Sequence, residues 1–336
     1  MPLASGGVAM PDHFSPSGRR LSGLALAFAL LAPGLVTPLA AAAETVLERA
    51  ARTGVISMGG RTDLPPFSFL DGSKAVTGFS IDVARLIEAE ATAYLGKPVK
   101  LEFQQVNDPA TLFRQVSHGE TDLACGAQFT WEREMFVDFS LPYSLSGIRL
   151  LSRDGRIDGS PQSLVGKRIG VLAGGLGDTT IADLQPKALR QPFPGLNEAV
   201  AALQAGKLDA VAGDSLLLMA IRKLKGNKGL ELRPEQPLAR YAVGCIMPEN
   251  NSTFRNLVNI AIARLLQSYL NDDPAAVAIV NRWFGPQGML ELPTPMIKAY
   301  FAAVMLNYEQ IQVASPSTCL PSEGCWERRS RKGCPV

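Results

Sequence analysis

Between Val55 and Ala127 the chain switches repeatedly between two hydrophobic periods, and this alternation restricts the fold more than any other feature. Val55–Gly59 is a short apolar run of strand type that ends in Gly59-Gly60. Asp63, Leu64, Pro65, Pro66 and Phe67 then break regular structure, because proline fixes φ and removes a donor. From Ser80 to Leu95, the residues Ile81, Ala84, Ile87, Ala91 and Leu95 recur at helical spacing, with Ser80 as the expected N-cap. Val99–Phe103 reads as a strand. Asp108–Ser117 reads as a helix with Pro109 at its permissive first position, and Asp122–Ala127 as a strand. Strand and helix alternating in this way predict a parallel sheet covered by helices.

The order then repeats. Arg168–Leu172 is a strand ending near Gly174-Gly175, Thr179–Leu184 opens a helix, and Asn197–Ala205 is a helix closed by Gly206. Asp209–Gly213 is a strand and Leu216–Lys223 a helix. The units are joined by Val137–Tyr143 and the apolar strand Ile148–Leu151, and the chain returns through Tyr241–Met247 to long helices at Phe254–Leu270 and Pro274–Trp283. This pattern predicts two α/β lobes with two crossings: residues 44–144 plus 243–290 form one, and 145–242 the other. Ligands of open α/β sheets bind beyond the carboxyl ends of the strands. Here those ends carry the loops Arg61–Phe67, Gly126–Arg133 and Gly174–Gly177, which would face one cleft.

The N-terminus reads as an address. Arg19-Arg20 precede an uncharged run from Leu21 to Ala43 that ends in three alanines, the pattern of a secretory signal peptide cleaved after Ala43. A membrane anchor of the same length is the alternative, but Pro33, Gly34 and Pro38 interrupt the run. No cysteine follows it directly, so a lipid anchor is not expected. The whole chain carries +2. Residues 1–43 hold +1 and 313–336 hold +2, which leaves −1 for residues 44–312. A near-neutral body offers no broad polyanion surface, and no nucleic-acid partner is expected.

Metal and nucleophile chemistry is thinly supplied. The two histidines, His13 and His118, stand apart from any other ligand-type cluster, so no metal site is expected and His118 reads as a surface loop residue. Neither a Gly-x-Ser-x-Gly nor a His-Glu-x-x-His pattern occurs. Of the five cysteines, Cys125 and Cys245 lie in separate strand-like runs. They would pair if the strands are neighbours and would otherwise be buried thiols. Cys319, Cys325 and Cys334 fall in the tail.

A series of short motifs follows in a fixed order. Pro65-Pro66-Phe67-Ser68-Phe69 precedes Gly78-Phe79-Ser80-Ile81-Asp82, and Gly119-Glu120-Thr121-Asp122 precedes Thr130-Trp131-Glu132-Arg133. Val137-Asp138-Phe139-Ser140-Leu141-Pro142-Tyr143, Gly166-Lys167-Arg168-Ile169-Gly170-Val171, Gly206-Lys207-Leu208-Asp209-Ala210-Val211 and Arg282-Trp283-Phe284-Gly285 complete it. In this order the body, about residues 46–287, resembles the bacterial extracellular solute-binding proteins of family 3, which deliver polar amino acids to ABC importers. The resemblance implies a two-lobed, periplasmic-binding-protein-like type II fold, each lobe a mainly parallel sheet flanked by helices. It also implies a monomer in the periplasm that closes on a free amino acid and hands it to a membrane permease without any cofactor.

The resemblance also implies a ligand set. Arg133 takes the position of the arginine that grips the ligand carboxylate, a task suited to a bidentate guanidinium. Asp214 takes the position of the acceptor for the α-ammonium, with a helix N-cap as its structural alternative. Gly126, Gln128 and Thr130 lie on the loop leading to Arg133, and Gly175 and Leu176 on the loop that presents backbone N–H groups. Gly175 stands where the family usually has Thr, so one hydroxyl contact is missing. Gln128 stands where Ser or Thr is common, and Phe129 reads equally well as core packing. Arg61, with Phe67 after it, resembles the glutamate/aspartate-binding subgroup, whose equivalent arginine meets an acidic side chain. Cys125 and Cys245 echo a paired cysteine couple of that subgroup. Leu112 and Leu196, by contrast, fall near positions where the subgroup carries polar readers, which leaves a neutral ligand open.

Two other functions fit the same pattern. Some cyclohexadienyl (arogenate or prephenate) dehydratases resemble this fold and would add a proton donor, for which Glu132 is the neighbour at hand. A ligand-sensing module is the other, but no kinase or coiled-coil segment accompanies the body. The expectation is a binding protein and not an enzyme. Residues 291–336 are expected to hold one helix, Pro295–Gln312, and then a tail without order.

Overall fold

A computed structural model describes residues 44–224 and 229–307. The expected signal peptide, the cysteines of the tail and the last part of the expected C-terminal helix lie outside them. Among the described residues no helix is long and apolar enough to cross a membrane.

The chain opens with α1 (Val46–Thr53), whose Thr45 and Glu48 form a reciprocal capping box and whose end is closed by Gly54 at φ +73°. Sequence reasoning passed over this helix, although Thr45-x-x-Glu48 is its written signal. Strand β1 (Val55–Gly60) follows, then a small antiparallel meander of β2 (Asp63–Leu64), β3 (Ser68–Leu70) and β4 (Val76–Thr77). Helix α2 (Phe79–Leu95) starts earlier than Ser80 suggested. Gly78 sits before it at φ +135°, where a Cβ would lie 2.1 Å from the Phe67 carbonyl oxygen, so only glycine fits. Ser80 is therefore not the cap, and its Oγ instead meets the Tyr143 hydroxyl at 2.8 Å inside the core. Strand β5 (Lys100–Gln105) pairs in parallel with β1. Helix α3 (Pro109–Ser117) is capped by Asp108, as its sequence predicts. Strand β6 (Ala124–Gln128) joins the other side of β1 through a parallel bridge from Met58 to Leu123.

A single short turn of helix, α4 (Trp131–Glu134), and β7 (Asp138–Phe139) lead into the nine-residue strand β8 (Ser144–Ser152). The second α/β unit contains β9 (Arg168–Leu172), α5 (Leu176–Leu184), β10 (Leu189–Phe193), α6 (Leu196–Gln204), β11 (Ala210–Asp214) and α7 (Ser215–Leu224). Strands β10, β9 and β11 run parallel, and β8 closes against β11 in the antiparallel sense. Strand β12 (Glu231–Arg233) pairs with the far side of β8. Strand β10 escaped sequence reasoning because Arg190, Gln191 and Pro192 interrupt any apolar pattern on an exposed edge.

The link between the units is β13 (Ala239–Met247). Its first half pairs with β8 and its second half with β6 and β7, and Val243 has partners on both sides, Ser144 and Gln128. One strand thus belongs to both halves of the sheet system. Helices α8 (Ser252–Leu270) and α9 (Pro274–Trp283) then return across α2, and α10 (Thr294–Asn307) packs on α8. Trp283 donates its indole N–H to Asp82 Oδ2 at 2.8 Å, which ties the end of the fold to α2. Phe79 and Phe284 meet edge to face at 4.7 Å in the adjoining core.

Candidate functional site

The carboxyl ends of β1, β6, β9 and β11 converge on one cavity of ≈ 140 Å³. Engineered cavities of roughly 150 Å³ hold a single benzene ring, so the space suits a small molecule. Of the nine residues named from sequence, Arg61, Phe67, Gly126, Gln128, Arg133, Gly175 and Asp214 line it. Thr130 and Leu176 are not among the lining residues. Thr130 caps α4, its Oγ1 accepting the Arg133 backbone N–H at 3.3 Å, and Leu176 starts α5 with its side chain packed on the core. Phe129 is core packing, edge-on to Trp131 and Phe139 at 5.0 and 5.1 Å.

Arg133 is the half-buried cation of this cleft. Its Nη1 donates to the Gln128 carbonyl at 3.0 Å, and no carboxylate pairs with it among the described residues. Burial lowers its pKa, which is the mark of a desolvated charge without an anion beside it. A carboxylate arriving in the cleft would supply that anion.

Asp214 serves the helix-cap reading made of it and also lines the cavity. It is 4% exposed. Its Oδ1 accepts the backbone N–H groups of Leu216 and Leu217 at 2.9 and 3.0 Å, so it caps α7. Its Oδ2 accepts the Tyr241 hydroxyl at 2.7 Å. Burial pushes its carboxyl pKa up, and the hydrogen bonds from Tyr241 and Leu217 oppose the shift. Tyr241 itself accepts from Gln128 Nε2 at 2.9 Å. Sequence reasoning missed Tyr241, which lies on β13, 113 residues from Gln128. The Gln128 amide N–H is thereby engaged with protein.

Arg61 is spoken for. It is 7% exposed and holds Asp63 through Nε to Oδ1 at 2.8 Å and Nη2 to Oδ2 at 2.6 Å. Nη1 donates to the Asn107 carbonyl at 2.6 Å and Nη2 also to the Pro194 carbonyl at 3.0 Å. The loop arginine expected to meet an acidic ligand is neutralised two residues away in its own loop. Sequence reasoning also passed over most of the apolar wall, which Leu64, Phe113, Leu172, Leu217, Val243 and Ile246 supply. Leu112, noted there as a departure from the polar readers, lines the cavity as well, whereas Leu196 is buried against Gly213 instead.

Gly126 and Gly175 line the cleft at strand and helix ends. Gly126 adopts φ +92°, and a Cβ there would sit 3.3 Å from Ser80 Oγ. Gly175 precedes α5, which has no side-chain cap of its own. Cys125, which itself lines the cavity, is directly paired with Cys245 across β6 and β13, and the two form a disulfide. Glu132 is exposed, and hydrogen bonds from its own backbone N–H and from Thr130 lower its pKa, so it is a carboxylate and not a proton donor near neutral pH. His118 is exposed on its loop. Among the described residues no group of three or more His, Cys, Asp or Glu could hold a metal ion.

Three comparisons place this geometry. The model of the bacterial extracellular solute-binding proteins, family 3, matches residues 56–286. The glutamate/aspartate import solute-binding protein of Salmonella typhimurium is 28% identical over 238 residues, 67% of this chain and 76% of that protein. The L-cystine-binding protein of Escherichia coli is 27% identical over 261 residues, 72% of this chain and 87% of that protein. Among solved structures, an ancestral arginine-binding protein bound to glutamine aligns with a TM-score of 0.60 at 28% identity, over 69% of this chain and 98% of that one.

Proposed function

This chain belongs to the bacterial extracellular solute-binding proteins of family 3, and we propose that it captures a free amino acid with an uncharged side chain for an ABC importer. The fold is the two-lobed, periplasmic-binding-protein-like type II fold, and the chain is a binding protein rather than an enzyme. In this reading residues 44–144 with 243–290 and residues 145–242 are the lobes, and the ligand bridges them. Arg133 takes the α-carboxylate in a bidentate grip and Asp214 the α-ammonium. Gly126 and Gly175 let backbone approach the ligand, and Gln128 and Phe67 shape the walls. Closure follows because the two charged groups lie on different lobes and the ligand satisfies both at once.

The observation that carries the reading is Arg133, a half-buried guanidinium in the cleft with no acidic partner among the described residues. Charge matching then sets the side chain. Arg133 and Asp214 answer the two charges of the amino-acid backbone, while Arg61 is already answered by Asp63. A glutamate or aspartate side chain would bring a charge that no further unpaired cation among the described lining residues meets, against a largely apolar wall. A monomer secreted to the periplasm through the segment 1–43, delivering to a membrane permease, completes the proposal.

The test is a thermal-shift screen of the twenty amino acids followed by calorimetry on the hits. A ligand at 100 times its Kd adds about 2.7 kcal/mol of stability. Stabilisation by a neutral amino acid, with affinity falling about 100-fold in Arg133→Ala, is expected, since a charge-assisted pair is lost. Near-native affinity in that variant would sink the assignment. Stabilisation by glutamate or aspartate alone would overturn the uncharged side chain while keeping the binding function.

A further inference from the structure

A second cavity, ≈ 320 Å³, lies against the start of β8, the start of α7 and helix α10. Its size falls within the range of about 300–1,000 Å³ typical of small-molecule sites. The body of the cavity is apolar, with Met219, Phe284, Ile297 and Phe301 among its walls. Leu145 and Met296 also line it, and they are 48% and 57% exposed, an apolar rim open to solvent.

Two polar groups stand out in this lining. Arg149 donates Nε to the Pro234 carbonyl at 2.5 Å and Nη2 to the Leu232 carbonyl at 2.6 Å. Both partners are uncharged. Glu235 acts on it only at longer range, and no carboxylate forms an ion pair with it among the described residues. Burial accordingly lowers its pKa. Tyr300, on α10, has a buried hydroxyl without a hydrogen-bond partner among the described residues. An unsatisfied buried hydroxyl and a cation lacking an anion are both unfavourable, and a ligand carboxylate would supply the anion that Arg149 lacks.

We propose that this cavity is a second ligand site, separate from the amino-acid cleft, that takes a small apolar monocarboxylic acid. The acid's hydrocarbon part lies among Met219, Ile297 and Phe301, and its carboxylate meets Arg149. The site adjoins the cleft at two points. Tyr143 lines the second cavity while its hydroxyl is hydrogen-bonded to Ser80 and to the backbone of Gly126 in the cleft. Ser215 lines it next to Asp214 in the chain. Helix α10 lies beyond residues 56–286, the part matched by the family model.

The probe is 3-phenylpropionate, titrated calorimetrically into the full secreted protein, with 3-phenylpropionamide as its uncharged counterpart. The acid is expected to bind at least about 10-fold more tightly than the amide. Arg149→Met should remove that preference, and Met219→Trp, which fills the cavity and leaves the arginine in place, should abolish binding of both. Arg133→Ala should leave the probe's affinity unchanged. Each variant is checked for a native melting transition, and Met219→Trp decides the matter if Arg149→Met fails to fold. No binding at millimolar probe, equal affinity for acid and amide, or a loss caused by Arg133→Ala instead would overturn the proposal. The last result would place the probe in the cleft and leave the amino-acid reading standing.

Discussion

Arg61 and Asp63, two residues apart, face each other as a two-pronged ion pair with contacts of 2.8 and 2.6 Å at the rim of the amino-acid cleft. The pair converts a lining arginine into a neutral unit. The guanidinium also donates to the Asn107 and Pro194 carbonyls, so it joins the β1 loop to the segment before α6. The role its contacts show is to hold these loops together.

Removing the acid should therefore create the specificity that the arginine alone suggested. Asp63→Asn keeps the shape and frees the Arg61 charge. The ratio of glutamate to glutamine affinity is expected to rise about 10-fold or more, read by calorimetry on wild type and variant. An unchanged ratio would mean that the Arg61 charge does not reach the ligand at all.

The parts of the site legible in the sequence are those set by local chemistry. Asp108 before Pro109, Asp214 before a helical run and the apolar periodicity of α2 all act within one turn, and the structure keeps them. The strand ends that carry the cleft follow from the α/β alternation. The contacts that redefine the site act at long range. Tyr241 reaches Gln128 across 113 residues and Asp214 across 27, and the Pro194 carbonyl reaches Arg61 across 133. No periodicity or cap signal encodes those meetings. Asp63, two residues from Arg61, was in plain view, but a loop sequence does not say which way two side chains turn. Ser80 failed as a cap for a similar reason, since its partner Tyr143 lies 63 residues away.

The Tyr241–Asp214 contact makes a pH prediction. Burial raises the Asp214 pKa, so the folded protein holds this proton to higher pH than the unfolded chain does. Its contribution to stability is then most favourable below the ordinary carboxylate range and is lost as pH rises through the raised value. Ligand binding runs the other way, because an ammonium needs the ionised carboxylate. Affinity should fall as pH drops through the raised pKa, and in that window binding should release up to one proton. Tyr241→Phe removes a bond that favours the ionised form, so the loss should begin at higher pH, with about 1–3 kcal/mol less stability. Calorimetry in two buffers of different ionisation enthalpy counts the protons. A profile identical in wild type and Tyr241→Phe would rule out Asp214 as the titrating group.

The Cys125–Cys245 disulfide gives the last prediction. It spans 120 residues of sequence and joins β6 to β13, the strand shared by both halves of the sheet. Closing a loop of this order restricts the unfolded chain, and loss of such a bond typically costs about 2–5 kcal/mol. The double variant Cys125→Ser, Cys245→Ser should therefore unfold at a lower urea concentration, its extrapolated stability falling by that amount. The same β6–β13 pairing continues through Val243 and Gln128, on the cleft side of the bond. Arg133 and Asp214 keep their own partners, the Gln128 carbonyl for the first and the α7 N–H groups with Tyr241 for the second. Amino-acid affinity in the double variant should then stay within about 10-fold of wild type, since none of these hydrogen bonds runs through sulfur. A large loss of affinity with little loss of stability would mean that the disulfide shapes the cleft directly.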